Sequence, residues 1–261
     1  MTCVFCGSTV SKTDEHVYAR WMRRGLRAEG RTTVTVGRED RFIRVDAGPT
    51  IVLRRGVCLA CNTEWMASLE RKVQPLLLPA MRGEPMAYTP ESQRSMAVWA
   101  TQKALLSSLA IRDWGFASFA PASAILWLYE HRADESPPSG TQVWLAAVKA
   151  RLGTSDALTG SITTGWAPPS PRDPRFYFVT FSAGCLVVQV GGQEIDSPES
   201  PVRFVRPDRL LLSVLSIWPA RDQLVTWPPG RVLTKDELTE LGEWEGTQSE
   251  AVGRKVAPHH E

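Results

Sequence analysis

No stretch of the 261-residue chain approaches the roughly 20 consecutive apolar residues that a bilayer-spanning helix needs. The longest apolar runs, AILWLY and LLLSVLSIW, have the length of core segments, and no membrane partner is expected. Cysteine is scarce: five residues are too few for the disulfide lattice of a small secreted scaffold. The opening MTCVFCGS lacks the charged start and apolar stretch of a secretory signal, which predicts a cytoplasmic protein. In that reducing compartment, paired cysteines favour metal over disulfides. Internal repeats and low-complexity tracts are missing as well, so a solenoid is excluded. Neither sign of charge dominates, since 30 Lys and Arg face 28 Asp and Glu for a net charge of +2, a value that selects no partner. With 43% hydrophobic residues the chain can bury a core without leaning on a metal throughout, so any metal site is local.

The charge is unevenly spread. Residues 1–72 carry 13 Lys or Arg against 8 Asp or Glu, whereas residues 73–261 carry 17 against 20. The basic segment is also the one that holds four of the five cysteines. Within it, HVYARWMRRGLRAEGR places Arg20, Arg24, Arg27 and Arg31 at helical spacing, one basic stripe if the segment is a helix. The following TTVTVGREDRFIRVDAGPTIVLRRGV alternates around GRED and AGP breaks and predicts short strands in a hairpin. From Cys61 the pattern turns helical, with Trp65, Leu69, Val73 and Leu76 on one face, and Pro79 and Gly83 are expected to end the unit.

A second region opens at YTPESQRSMAVWATQKALLSSLAIRDW, where Thr89 has the chemistry of an N-cap and Pro90 suits the first helical position. PASAILWLYEHR predicts a further helix, and TQVWLAAV, RFYFVTFSAG and CLVVQVGG read as strands, the last two joined through SAG. TKDELTELGEWE has Thr234 and Glu237 at capping-box spacing. The expected fold class is α+β, divided into residues 1–84, residues 85–245 and a disordered tail at 246–261. Cys185, alone in an apolar strand, reads as a small core residue, and no chemistry is assigned to residues 85–245.

Two CxxC pairs, Cys3 with Cys6 and Cys58 with Cys61, give four thiolates, a complete tetrahedral shell for Zn2+. Four sulfurs leave no open coordination position, so such a zinc would be structural. It would gather Glu15, His16 and Asn62 into one neighbourhood: a carboxylate and an amide oxygen suited to Mg2+, and an imidazole suited to taking a proton from water. The plainer alternatives are a histidine bonded to a carbonyl and an asparagine that caps a helix.

Taken together, CVFCG, TDEHV and VCLACNTEW resemble the zinc-knuckle branch of the HNH endonucleases, the His-Me finger (ββα-metal) nucleases. EHVYARW and CNTEWMASLE resemble more closely a group of actinobacterial and phage-type HNH proteins with a large uncharacterised C-terminal region. The resemblance covers about a third of the chain. It implies an N-terminal treble-clef, ββα-metal unit followed by a mixed α+β domain. Cys3, Cys6, Cys58 and Cys61 would hold structural zinc, His16 would be the general base, and Glu15 with Asn62 would bind a catalytic Mg2+ or Mn2+. The expected activity is hydrolysis of DNA phosphodiester bonds, leaving a 5′ phosphate, with Arg20, Arg24, Arg27, Arg54 and Arg55 as candidate phosphate contacts. Two positions depart from the family pattern: Glu15 stands where Asp is usual, and IVLRRGVC lacks the Asn that often precedes the second CxxC. Asp14 is the alternative acidic ligand if the register differs. A zinc-stapled nucleic-acid-binding or scaffold protein without catalysis is the alternative function.

Overall fold

The computed structural model describes residues 2–28, 32–38, 41–46, 51–116, 118, 121–149, 158–164, 176–193, 203–204, 208–243 and 249–250. Its elements run β1 (Lys12–His16), α1 (Arg20–Leu26), β2 (Thr33–Arg38), β3 (Arg41–Asp46), β4 (Val52–Cys58), α2 (Leu59–Cys61), α3 (Ala67–Met81), β5 (Met86–Tyr88), α4 (Pro90–Ala110) and α5 (Ala122–Glu130). There follow β6 (Gln142–Ala147), β7 (Leu158–Thr164), β8 (Phe176–Ala183), β9 (Leu186–Gln193), β10 (Arg203–Phe204), α6 (Asp208–Leu211), β11 (Val214–Trp218), β12 (Val225–Trp227), α7 (Lys235–Glu243) and β13 (Ser249–Glu250). The class is α+β, as the residue patterns predict.

Local signals account for several element ends. Thr89 Oγ1 accepts from the backbone N–H of Ser92 at 3.2 Å and starts α4, with Pro90 in the first turn. Thr234 and Glu237 form the reciprocal capping box of α7, with N–H to oxygen distances of 2.9 and 3.2 Å. The β8–β9 hairpin turns at Gly184, whose φ is +59°. An added Cβ there would lie 2.1 Å from the Met81 carbonyl oxygen, so the tight approach of the hairpin to α3 admits only glycine. Cys185 sits partly buried in that turn, its N–H donating to Met81 O at 2.8 Å.

The helix after the second CxxC stops between Pro79 and Gly83, where the sequence places its end. α2 passes through a π-helical turn at Asn62–Met66 into α3, which carries Pro75 and Pro79 inside it. It ends two residues beyond Pro79, where Gly83 at φ +87° donates to Ala80 O and Glu84 N–H donates to Pro79 O. Its buried face, Leu69, Val73, Leu77 and Met81, packs on α4. Helix α4 is enclosed on all sides, with every residue from Ser95 to Ala110 buried, as expected of a helix at the centre of a core.

The sheets fix how the N-terminal segment meets the rest. β1 pairs antiparallel with β4, while β2 and β3 form one end of a seven-stranded sheet of order β11-β6-β9-β8-β7-β2-β3. Thr33 to Arg38 pair in parallel with Thr159 to Thr164. The division expected at residue 84 falls between α3 and β5, yet a single apolar cluster crosses it, from Cys3 to Trp227. Within the tail 246–261, Ser249–Glu250 pair with Arg203–Phe204, and the remaining positions lie outside the described residues, as does Arg31.

Candidate functional site

The two CxxC pairs meet where β4 runs into α2. Their four sulfurs all lie within 4.8 Å of one another, and Cys6 Sγ is 3.6 Å from Cys58 Sγ. A tetrahedron with metal–sulfur bonds of about 2.3 Å has edges of about 3.8 Å, so this spacing suits one tetrahedral ion. Backbone amides already face the sulfurs: Cys58 N–H donates to Cys3 Sγ at 3.3 Å and Cys61 N–H to Cys58 Sγ at 3.4 Å. Burial opposes a thiolate at Cys3, but amides of Cys6, Cys58 and Phe5 outweigh it and draw the thiol down to about 7, whereas burial pushes the Cys6 and Cys61 thiols up. The cluster could therefore hold a metal ion such as zinc, with all four cysteines as ligands. Phe5, between the first two cysteines, meets Trp65 edge-on at 5.1 Å, which ties the first knuckle to the π-helical turn.

Strand β1 leads away from this cluster toward α1. Opposite Asp14, β4 carries three residues, Arg54, Arg55 and Gly56, where regular pairing would place one. The extra residues bulge, and Arg55 takes φ +50° and donates its N–H to Asp14 Oδ1 at 2.9 Å. Arg54 and Arg55 are consequently thrust to the surface. Gly56 turns back inward, and its carbonyl accepts from Val4 N–H at 3.0 Å.

Side chains alternate along β1, so Glu15 and His16 point to opposite faces. His16 faces an open cleft of about 350 Å³ lined by Arg20, Arg23 and Arg24 of α1. Burial lowers the His16 pKa, and the Arg20 guanidinium lowers it further, against the smaller opposing pull of Glu15. The imidazole is thereby biased toward its neutral form among cationic neighbours. Arg20 and Arg24 are exposed and one helical turn apart. Arg27 stands just past the helix in the left-handed region, at φ 49°. The sequence stripe therefore identifies Arg20 and Arg24 of the cleft but misses Arg23, which sits at i+3 from Arg20 and was legible from the same helical spacing.

Glu15 faces inward and departs from its expected role. Its Oε1 lies 2.8 Å from Lys103 Nζ, which is also 2.7 Å from Glu70 Oε1 and 3.1 Å from the His16 carbonyl oxygen. Lys103 is buried at the middle of α4, its side chain only 1% exposed. Burial alone would neutralise the amine, but Glu15 and Glu70 outweigh it and hold its pKa above the usual value. Asn62 donates from Nδ2 to Thr13 Oγ1 at 2.8 Å, three residues up the strand from His16. The expected trio is thus divided among three partners: Glu15 on an ammonium, Asn62 on a hydroxyl, His16 in the arginine cleft. The pair Glu15 and Asn62 does not fit the donor set of a catalytic Mg2+ or Mn2+, because the carboxylate already serves a buried cation. Lys103 was overlooked in the sequence, where its one signal is a lone charge inside the otherwise uncharged stretch WATQKALLSSLA.

Compared with known proteins, the chain matches no family model, no curated protein and no solved structure. Among the described residues no helix is long and apolar enough to cross a membrane.

Proposed function

We propose that this chain is a zinc-stapled, HNH-type protein that binds the phosphodiester backbone of DNA in the cleft between β1 and α1 and hydrolyses it with His16 as general base. The observation that carries this reading is the convergence of one imidazole and three guanidinium groups at the end of β1, the strand that pairs at its other end with Cys58 of the sulfur cluster. Arginines in a fork suit phosphate oxygens, and guanidinium charge stabilises the charge that develops as phosphorus becomes five-coordinate. A neutral imidazole takes a proton from water as the oxygen attacks phosphorus. The bond to the 3′ oxygen breaks, that oxygen takes up a proton from solvent, and a 5′ phosphate remains, as the resemblance implies. Zinc held by Cys3, Cys6, Cys58 and Cys61 would supply rigidity and no chemistry. Glu15, paired with Lys103, and Asn62, bonded to Thr13, are unsuited to holding Mg2+ or Mn2+.

The engagement of Glu15 by Lys103 favours a second reading, a module that binds nucleic acid without cutting it. Supercoiled plasmid incubated with the zinc-loaded protein, with and without Mg2+ or Mn2+, separates the two. Conversion to open-circular or linear DNA by the wild type but not by His16→Ala supports hydrolysis. A salt-sensitive gel shift without conversion, lost in an Arg20→Ala/Arg24→Ala variant, supports binding alone. The absence of both shift and conversion would refute the cleft as a nucleic-acid site.

A further inference from the structure

Lys103 lies 88 residues from Glu15 in the chain, yet its amine reaches the acidic residue for which the HNH resemblance implies a divalent ion. Its surroundings are those of a complete ammonium site. Three acceptors, Glu15 Oε1, Glu70 Oε1 and the carbonyl of His16, stand at 2.8, 2.7 and 3.1 Å, one for each N–H that an ammonium offers. A dication added on Glu15 would lie within a few ångströms of this charge and be repelled by it in a region of low dielectric. The carbonyl contact belongs to the residue whose imidazole faces the arginine cleft, so Lys103 also anchors the end of β1 that presents His16.

We infer that Lys103 is a built-in cation that takes the place of a dissociable metal at Glu15 and positions His16 from behind. The inference rests on reading the cleft as an HNH-type site, but its test does not depend on cleavage. Lys103 is a positioning residue, since its buried amine touches neither the cleft nor anything bound there. Glu70, one helix away, completes the charge pairing and belongs to the same device.

Binding of Mn2+ to the zinc-loaded full chain, followed by the electron paramagnetic resonance of the free ion, compares wild type with Glu15→Gln. The expected result is the same weak binding by both. One Mn2+ held by the wild type at least about tenfold more tightly than by Glu15→Gln would overturn the inference, whatever the protein does to DNA. Lys103→Met supplies a second arm. It leaves Glu15 and Glu70 without a cation, so its melting temperature should fall in chelator-treated buffer and recover selectively with Mn2+, a response that loss of packing would not give. A melting temperature equal to that of the wild type, or a fall that Mn2+ does not reverse, counts against the inference. If Lys103→Met fails to fold, the comparison of wild type with Glu15→Gln decides alone. Failure to bind DNA in the plasmid assay, with no Mn2+ site at Glu15, would refute the nucleic-acid reading and leave the cation assignment standing.

Discussion

Removing Arg20 and Arg24 should change how DNA binding responds to salt more than it changes the fold. Both side chains are exposed on α1 and line the cleft with Arg23 and His16, so Arg20→Ala/Arg24→Ala removes charge without opening the core. Each phosphate neutralised by a protein cation contributes about 0.9 to the slope of log affinity against log salt. Three arginine contacts imply a loss of roughly 40-fold between 50 and 200 mM salt, and a single remaining contact a loss of only about 3- to 4-fold. Fluorescence anisotropy of a labelled duplex across that range measures both slopes, with melting temperature as the control for folding. The bulged pair Arg54 and Arg55, exposed but outside the cleft lining, provides the comparison for loss of charge elsewhere on the basic segment. An unchanged slope in the Arg20/Arg24 variant, with normal melting, would refute the cleft as the phosphate-binding surface.

Further expectations concern the staple, the turn and the imidazole. Cys58→Ser replaces one thiolate ligand of the sulfur cluster with a hydroxyl that can still accept from the Cys61 amide, so bound zinc should be lost and the β1–β4 pairing loosened while the cap persists, whereas His16→Ala should keep its zinc. Metal content by mass spectrometry and hydrogen exchange across residues 2–28 and 51–66 check both. Gly184→Ala forces a methyl group against the Met81 carbonyl at positive φ and should cost about 1–3 kcal/mol, read from denaturant midpoints. Because the His16 pKa is lowered in the folded protein, its unfolded form binds the proton more readily. Stability should thus be unaffected by this residue above about 6.5 and decline as pH falls from there through the lower folded value. A His16→Gln variant should lack that part of the decline in melting temperature against pH. Any hydrolysis should likewise lose its base on the acid side of 6.5.

What the sequence made legible was local. Thr89 before Pro90, the Thr234 and Glu237 pair, and both CxxC turns act within four residues of themselves, and each is found in its expected place. The end of α3 was legible as well, since Met81 is its last residue, between Pro79 and Gly83; Pro75 and Pro79 each forgo a backbone hydrogen bond inside it, which packing against α4 offsets. Long-range partners left almost no trace. Nothing in TTVTVGR announces that β2 will pair in parallel with β7, and a lysine in α4 gives no hint that its counter-ions lie on β1 and α3. Glu15 shows the difference: its neighbours in sequence suggest a metal ligand, and its neighbour in space is an ammonium.

The parallel pairing of β2 with β7 also constrains how the protein is made. Thr33 meets Thr159, so one edge of β2 waits for about 125 further residues before its partner exists. At about 5–20 residues per second of synthesis, that edge stands open for roughly 6–25 s. Throughout that interval the nascent chain carries a β-branched strand with unpaired amides and carbonyls, a template for pairing with any neighbouring chain. The sulfur cluster, complete once Cys61 is synthesised, can close long before the sheet does. A metal ion taken up there during translation would let residues 2–28 and 51–61 wait for the sheet as an ordered knuckle rather than as an open chain.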